Sequence, residues 1–134
     1  MMDAAVDWEA MFKAADEVRA RAYARYSNFE VGAALWCDDG TLLAACNVEN
    51  ASFGLTLCAE RSAIARMIAE GKKLIAVAIV VDSTRPTPPC GMCRQVMAEF
   101  APGTLEVRSR NTKGAEERYT LAGLLPHAFT PDFL

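Results

Sequence analysis

The sequence predicts an α/β fold with three layers, in which a mixed five-stranded sheet lies between helices. The first observation is an apolar run of eight residues, Leu74–Val81, which is typical of a central strand covered on both faces. The second is a β-hairpin signal followed by alternating helix and strand patterns, as in sheets covered by helices. A chain of 134 residues without repeats or linkers suits one domain, which we expect to span residues 1–134.

Apolar residues at helical spacing near the N-terminus predict a first helix. They are Trp8, Met11, Phe12, Ala15, Val18 and Ala22. Residues 30–37 and 41–47 then have the character of two strands, and Asp38-Asp39-Gly40 lies between them as a tight turn. This pattern predicts a hairpin.

Helices and strands alternate after the hairpin. Residues 58–70 predict a helix that stops at Gly71, and residues 90–100 predict another that follows two prolines and stops at Pro102-Gly103. Three shorter elements complete the prediction: weak strands at 105–108 and 118–120, and a helical turn at 121–125.

The composition excludes several classes of protein. A hydrophobic content of 52% is enough to build a core without disulfides. The net charge of −3 argues against a nucleic-acid-binding surface. We expect no secretory leader, and no apolar run reaches the length of a membrane span. Five cysteines, an odd number, fit free or metal-bound thiols in a reducing cytoplasm better than a disulfide framework.

Three cysteines have the spacing of a metal site. Cys90 and Cys93 form a Cys-x-x-Cys pair, and Cys58 lies 32 residues upstream. Both segments fall at predicted helix starts, where backbone N–H groups and the helix dipole favour thiolates. Three protein ligands with an open fourth position are typical of catalytic zinc. The sequence therefore predicts that Cys58, Cys90 and Cys93 bind Zn²⁺.

These cysteines have two alternative interpretations besides a catalytic zinc site. A structural zinc site needs a fourth ligand, but Cys37 and Cys46 lie in predicted strands among apolar residues and favour core packing. The single histidine, His127, is near the C-terminus and fits a surface or interface position. A thioredoxin-like pair should directly follow the first strand of a βαβ unit, and it would leave the Cys-Ala-Glu segment at 58–60 without a role.

Glu60 is the candidate for proton transfer. A carboxylate near an anionic and partly desolvated centre has a raised pKa, which suits it to take a proton from zinc-bound water and deliver it to a substrate. The alternative is an ordinary glutamate at a helix N-terminus. Zinc with three thiolates is anionic, so we expect Arg61 and Arg94 to supply positive charge and hydrogen bonds to sulfur. The alternative for each arginine is a solvated helix face.

These residues resemble a known family. Cys-Ala-Glu-Arg (58–61) followed by Pro-Cys-Gly-Met-Cys-Arg-Gln (89–95) resembles the small homotetrameric zinc cytidine deaminases, in which cysteine replaces the first histidine of the wider deaminase signature. Residues 26–35, 47–54 and 124–129 also match. The resemblance implies a cytidine-deaminase-like fold, one Zn²⁺ per subunit, a homotetramer with sites near subunit interfaces, and a cytoplasmic role in pyrimidine salvage.

The resemblance also implies a role for individual residues. Asn47 and Glu49 hydrogen-bond the ribose, and their spacing agrees because positions i and i+2 leaving a strand point the same way. The backbone N–H of Ala59 meets the base carbonyl. Phe29 packs on the nucleoside, and Phe129 reaches the site of a neighbouring subunit; core or interface packing is the alternative for both phenylalanines.

One position departs from the family pattern. Many members carry tyrosine where this chain has Phe53, so no polar contact with the sugar is expected from that side chain. It can still line the site.

The expected reaction is hydrolytic deamination of cytidine and deoxycytidine to uridine and deoxyuridine, with release of ammonia. Water attacks C4 of the ring, Glu60 protonates N3 and then carries a proton to the departing amine, and the Cys90 backbone region contacts that amine. A free nucleoside is favoured over a nucleotide because there is no Gly-rich phosphate loop and Glu49 repels phosphate.

Three other functions are alternatives to nucleoside deamination. A blasticidin-S-type deaminase shares the metal motif, and a noncatalytic zinc-stabilised binding module would not need Glu60. Polynucleotide editing suits the chemistry but not the acidic charge balance.

Overall fold

The computed structural model describes residues 5–134. Its strands are β1 Val31–Cys37, β2 Leu42–Cys46, β3 Leu74–Val81, β4 Glu106–Asn111 and β5 Glu116–Thr120. Its helices are α1 Trp8–Arg19, α2 Ala59–Ala69, α3 Gly91–Phe100 and the short α4 Leu121–Leu124, with 3-10 turns at Phe53–Leu55 and Pro131–Phe133. The predicted order of helices and strands is confirmed. The expectation about a leader rests partly on residues 1–4, which lie outside the described residues.

The five strands form one mixed sheet in the order β2-β1-β3-β4-β5. Strand β3 is antiparallel to β1 and parallel to β4, and α3 makes the crossover between the parallel pair. The other two neighbouring pairs are antiparallel. The mixed sheet predicted from the sequence is therefore confirmed.

Helices cover both faces of the sheet. On one face α1 packs its apolar side against small residues such as Ala34, Ala76 and Ala78. The approach is so close that a Cβ at Gly32 would come within 1.8 Å of the Ala15 carbonyl oxygen. Helices α2, α3 and α4 cover the other face. Because successive side chains of a strand point to opposite faces, β3 contributes residues to both apolar cores, as its uninterrupted apolar run predicted.

Several element boundaries differ from the prediction. Helix α1 ends at Arg19, and Tyr23 beyond it forms a bridge with Val48, which removes Ala22 from the helix. Strand β4 continues to Asn111 because Arg110 pairs with Glu116 of β5. Arg108 and Arg110 alternate with the buried residues of this strand, so the sequence has no continuous apolar run there. No helix of residues 5–134 is long and apolar enough to cross a membrane.

The ends of three elements meet at one edge of the sheet. Strand β3 ends at Val81, and the loop after it, residues 82–90, leads directly into α3. Helix α2 begins beside it, since Cys58 and Cys90 approach each other. In α/β proteins, ligands bind outside the carboxyl ends of parallel strands. This edge is therefore the place to look for a functional site.

Candidate metal centre and active site

Three cysteine sulfur atoms converge where α2 and α3 begin. Cys58 and Cys90 are the N-cap residues of the two helices, and Cys93 lies in the first turn of α3. The Sγ atoms of Cys58 and Cys90 are 3.6 Å apart, and those of Cys90 and Cys93 are 3.5 Å apart. Thiolates bound tetrahedrally to one zinc, each about 2.3 Å from it, are separated by about 3.8 Å. The spacing therefore fits one zinc ion.

The group of potential metal ligands has three members. Within residues 5–134, Cys58, Cys90 and Cys93 form the one group of three or more such side chains whose ligand atoms lie close together. Cys37 is buried in the apolar core, and Cys46 is half-buried on β2. Burial raises the pKa of both thiols, which keeps them protonated. A fourth position at the sulfur cluster is thus left for water or substrate, as in catalytic zinc sites.

Glu60 is buried next to the three sulfurs. It lies in the first turn of α2 and is only 5% exposed. Burial raises its pKa to about 7, and the negative charge of Cys58 adds to the rise. A carboxyl group with this pKa can take up and release a proton near neutral pH, which is what a general acid–base residue requires.

Arg61 contacts the sulfur cluster directly. Its guanidinium donates to Cys58 Sγ at 3.5 Å and to the Thr56 carbonyl at 3.1 Å. Hydrogen bonds from the Cys93 thiol and from Arg61 lower the pKa of Cys58 to about 5. Donation to Cys58 and burial raise the pKa of Cys93. Negative charge therefore collects first on Cys58, next to the arginine, and a bound metal ion deprotonates coordinating thiols in any case.

Arg94 differs from its expected role. Its Nε donates to the Pro89 carbonyl and its Nη1 to the Leu124 carbonyl, both at 2.8 Å. The guanidinium of Arg94 hydrogen-bonds two backbone carbonyl oxygens. The expected hydrogen bond from Arg94 to a cysteine sulfur is not among these contacts. Arg94 instead ties the start of α3 to the residue before Cys90 and to the end of α4.

A cavity of about 270 Å³ opens onto the sulfur cluster. Cys58, Cys90 and Glu60 are among the residues that line it. The remaining lining residues are Ser27, Phe29, Val31, Asn47, Glu49, Thr56, Leu57, Ala59, Ile79, Val81, Thr87 and Pro88. The structure thus brings Phe29, Asn47, Glu49, Ala59 and Glu60 together around one cavity.

Asn47 and Glu49 have a role in the fold that the sequence did not reveal. Asn47 accepts from Val31 N at 2.9 Å and donates to Phe29 O at 2.8 Å. Glu49 accepts from Tyr26 N at 2.9 Å, from Ser27 N at 3.1 Å and from the Ser27 hydroxyl. The two side chains therefore fasten the loop that carries Phe29 to the rim of the cavity. The Ser27 hydroxyl also lowers the pKa of Glu49, so its carboxylate stays charged.

Two aromatic residues lie outside the cavity of their own chain. Phe129 is 61% exposed, stacks on Phe133 with ring centroids 5.8 Å apart, and accepts a hydrogen bond from Gln95 at its backbone carbonyl. Phe53 is exposed and meets the Tyr26 ring edge-on. Phe129 is therefore not among the residues that line the cavity of its own chain.

Sequence reasoning missed two walls of the cavity. Ile79 and Val81 come from the end of β3, and Thr87 and Pro88 come from the loop before Cys90. Their position directly before the Cys-x-x-Cys pair is the signal that could have identified Thr87 and Pro88. Nothing in the sequence identifies Ile79 and Val81 as cavity residues, because apolar residues of a central strand are expected to pack in the core.

The chain is similar to known cytidine deaminases in both sequence and structure. Residues 6–108 match the family model described as the cytidine and deoxycytidylate deaminase zinc-binding region. A cytidine deaminase of Halalkalibacterium halodurans is 46% identical over 128 residues, which cover 95% of this chain and 97% of that protein. The crystal structure of cytidine deaminase from Burkholderia pseudomallei, 46% identical, superposes with a TM-score of 0.88 over 92% of this chain and all of that one. A blasticidin-S deaminase of Bacillus cereus is a more distant relative, 29% identical over 75% of this chain and 76% of its own length.

Proposed function

The chain belongs to the cytidine deaminase family and is a zinc-dependent hydrolytic deaminase of cytidine, and on that premise we propose a role for each residue of the site. Cys58, Cys90 and Cys93 hold the zinc, and Glu60 moves the protons. Asn47 and Glu49 bind the sugar, and residues 1–134 form one catalytic domain. The substrates are the free nucleosides cytidine and deoxycytidine.

One observation carries this proposal. Cys58, Cys90 and the buried Glu60 line one cavity together with Asn47 and Glu49, and Cys93 completes the sulfur cluster. A nucleoside has its reacting amino group on the base and its hydroxyl groups on the sugar. The cavity therefore contains both the groups that can act on the amine and polar side chains that can bind the sugar.

Zinc, when bound by the three thiolates, supplies the Lewis acidity that makes a water molecule nucleophilic near neutral pH. Glu60 accepts a proton from the water that attacks C4 and delivers it to N3 of the ring, so the ring nitrogen accepts the electron pair of the C4–N3 double bond. Glu60 then takes the remaining proton from the new C4 hydroxyl and passes it to the amino nitrogen as the C4–N4 bond breaks, which leaves the C4 carbonyl. The products are uridine and ammonia, and the carboxylate returns to its starting state.

Recognition of the substrate uses groups at fixed positions. The backbone N–H of Ala59, next to Cys58 at the start of α2, donates to the base carbonyl, and Phe29 packs on the nucleoside. Asn47 keeps a second amide hydrogen and Glu49 keeps free lone pairs beyond their contacts within the chain. A sugar can therefore hydrogen-bond them without breaking the contacts that hold the Phe29 loop.

A panel of substrates tests these assignments. We expect cytidine and deoxycytidine to be converted, as measured by the fall in ultraviolet absorbance with zinc content determined on the same sample. Cytosine, which lacks the sugar, and cytidine monophosphate, whose phosphate meets Glu49, should both be poor substrates. A role in cytoplasmic pyrimidine salvage, which we also propose, requires turnover of both nucleosides.

Some results of the panel would contradict the proposal. Turnover of cytosine or of cytidine monophosphate at the rate of cytidine would remove the sugar-binding role of Asn47 and Glu49. Faster turnover of blasticidin S, or of a cytosine-containing oligonucleotide, would assign the site to a different substrate.

We further propose a homotetramer in which Phe129 enters the cavity of a neighbouring subunit. Support comes from the exposure of Phe129 outside its own cavity and from the exposed apolar side chains Phe53 and Leu55 near the rim. Light scattering should give about four times the subunit mass of 14.5 kDa. Phe129→Ala should keep that mass and raise KM; a monomeric, fully active wild-type enzyme would contradict the proposal.

A further inference from the structure

Strand β4 carries two polar side chains into the apolar side of the sheet where the cavity lies. Ser109 is 0% exposed and Asn111 is buried. They follow Val107 at intervals of two residues and share its face, whereas Arg108 and Arg110 lie over aromatic rings of α1 on the opposite face. A buried hydroxyl is costly unless it is hydrogen-bonded. The partner of Ser109 is therefore informative.

Both side chains bind the loop between β3 and α3. Thr87 N donates to Ser109 Oγ at 3.1 Å, and Asn111 Nδ2 donates to the Ser83 carbonyl at 3.1 Å. In the parallel register, Ser109 is opposite Ile79 and Asn111 is opposite Val81. Ile79 and Val81 line the cavity. The polar end of β4 thus lies beside the part of β3 that lines the cavity.

The loop between β3 and α3 has few backbone N–H donors close to Cys90. Residues 86, 88 and 89 are prolines, which have no N–H group, so Thr87 carries the single backbone donor of residues 86–89. That donor is the group bound by Ser109. At the far end of the segment, Arg94 holds the Pro89 carbonyl. Thr87 and Pro88 line the cavity between these two attachment points.

We propose that Ser109 is a positioning residue for the deamination: by accepting the Thr87 N–H from within the core, it sets the cavity wall formed by Thr87 and Pro88 beside Cys90. The inference rests on the proposed function. Pro88 and Thr87 precede Cys90 by two and three residues, whereas Asn47 holds the Phe29 loop through separate hydrogen bonds. Displacement of this wall therefore impairs the chemical step more than it impairs binding of the sugar.

The test compares Ser109→Ala with Thr112→Val. Each variant removes a hydroxyl that bonds the loop, Ser109 on β4 and Thr112 in the turn just after it, but Thr112 is exposed and its hydroxyl donates to the Asp82 carboxylate. We expect Ser109→Ala to lower kcat per zinc-loaded chain about tenfold with KM nearly unchanged, because the loop shifts to give the Thr87 N–H another acceptor and so displaces the wall. Thr112→Val should retain wild-type kcat and KM.

Hydrogen exchange supplies a readout that does not depend on activity. Because residues 86, 88 and 89 are prolines, exchange within residues 86–89 comes from the Thr87 amide alone. Exchange at this amide should be faster in Ser109→Ala than in the wild type and in Thr112→Val. Ser109→Cys, which has similar size but a poor acceptor, should show the same changes to a smaller degree and serves if the alanine variant does not fold.

A structural role of Ser109 and a failure of the deaminase assignment give different results. If Ser109→Ala and Ser109→Cys melt at a lower temperature but keep wild-type kcat and KM, Ser109 is only structural and the inference is wrong. If the wild-type chain itself does not deaminate cytidine, the proposed function is wrong and the inference fails with it.

Discussion

Glu60→Gln is expected to lose turnover by about 10²- to 10⁴-fold, the contribution typical of a general acid–base residue. Glutamine has nearly the same size as glutamate, so it fills the buried position without a cavity, but it cannot accept and release the proton. The cysteine sulfurs are unaffected. Zinc content should therefore remain at one per chain, and the melting temperature should stay close to that of the wild type.

The matched control is Glu99→Gln, which makes the same chemical change at an exposed position of α3. It should leave kcat and KM unchanged. Near-normal activity of the Glu60→Gln variant with full zinc occupancy would remove Glu60 from the mechanism. Loss of zinc from the same variant would instead point to a role in holding the metal, which the three-sulfur cluster does not predict.

Cys93→Ala is expected to lose zinc and all measurable activity together. Cys93 is fully buried, and its Sγ lies 3.5 Å from that of Cys90. Removing one of three ligands leaves two thiolates, too few to hold the ion against exchange. Since binding of a metal to the folded state stabilises that state, the melting temperature should fall as well, and added zinc should not restore it.

A buried cysteine outside the cluster provides the control. Cys37→Ala removes a thiol of equal burial from the core cluster packed around Leu35 and Leu43. It should lower the melting temperature through the lost contacts but keep one zinc per chain and wild-type kcat. Full zinc content in Cys93→Ala, or loss of zinc in Cys37→Ala, would show that the ligands are assigned wrongly.

The strong local patterns were sufficient to predict the framework. The apolar run of β3, the turn after β1 and the glycine that ends α2 each act over a few residues, so they are visible without tertiary structure. Cys58 and Cys90 could be placed at helix starts for the same reason. The structure makes them N-cap residues, one position before each helix begins.

Contacts between distant segments could not be predicted in this way. Arg94 was expected to hydrogen-bond sulfur because it follows Cys93, but carbonyl oxygens of Pro89 and Leu124 lie within its reach. Asn47 and Glu49 were assigned to the sugar, and their contacts with the Phe29 loop were missed. A side chain bonds whichever partner the fold brings near, and spacing along the chain does not say which.

By itself, the sequence determined the order of helices and strands, the three cysteines and the glutamate next to them, because periodicity, turns and ligand spacing are local properties. Only the tertiary structure decided that three sulfurs approach within bonding distance of one ion, that Glu60 is desolvated, and that Ser109 holds the wall beside Cys90. Each of these depends on how closely separate elements pack, and packing distance is set by all the residues of the core together.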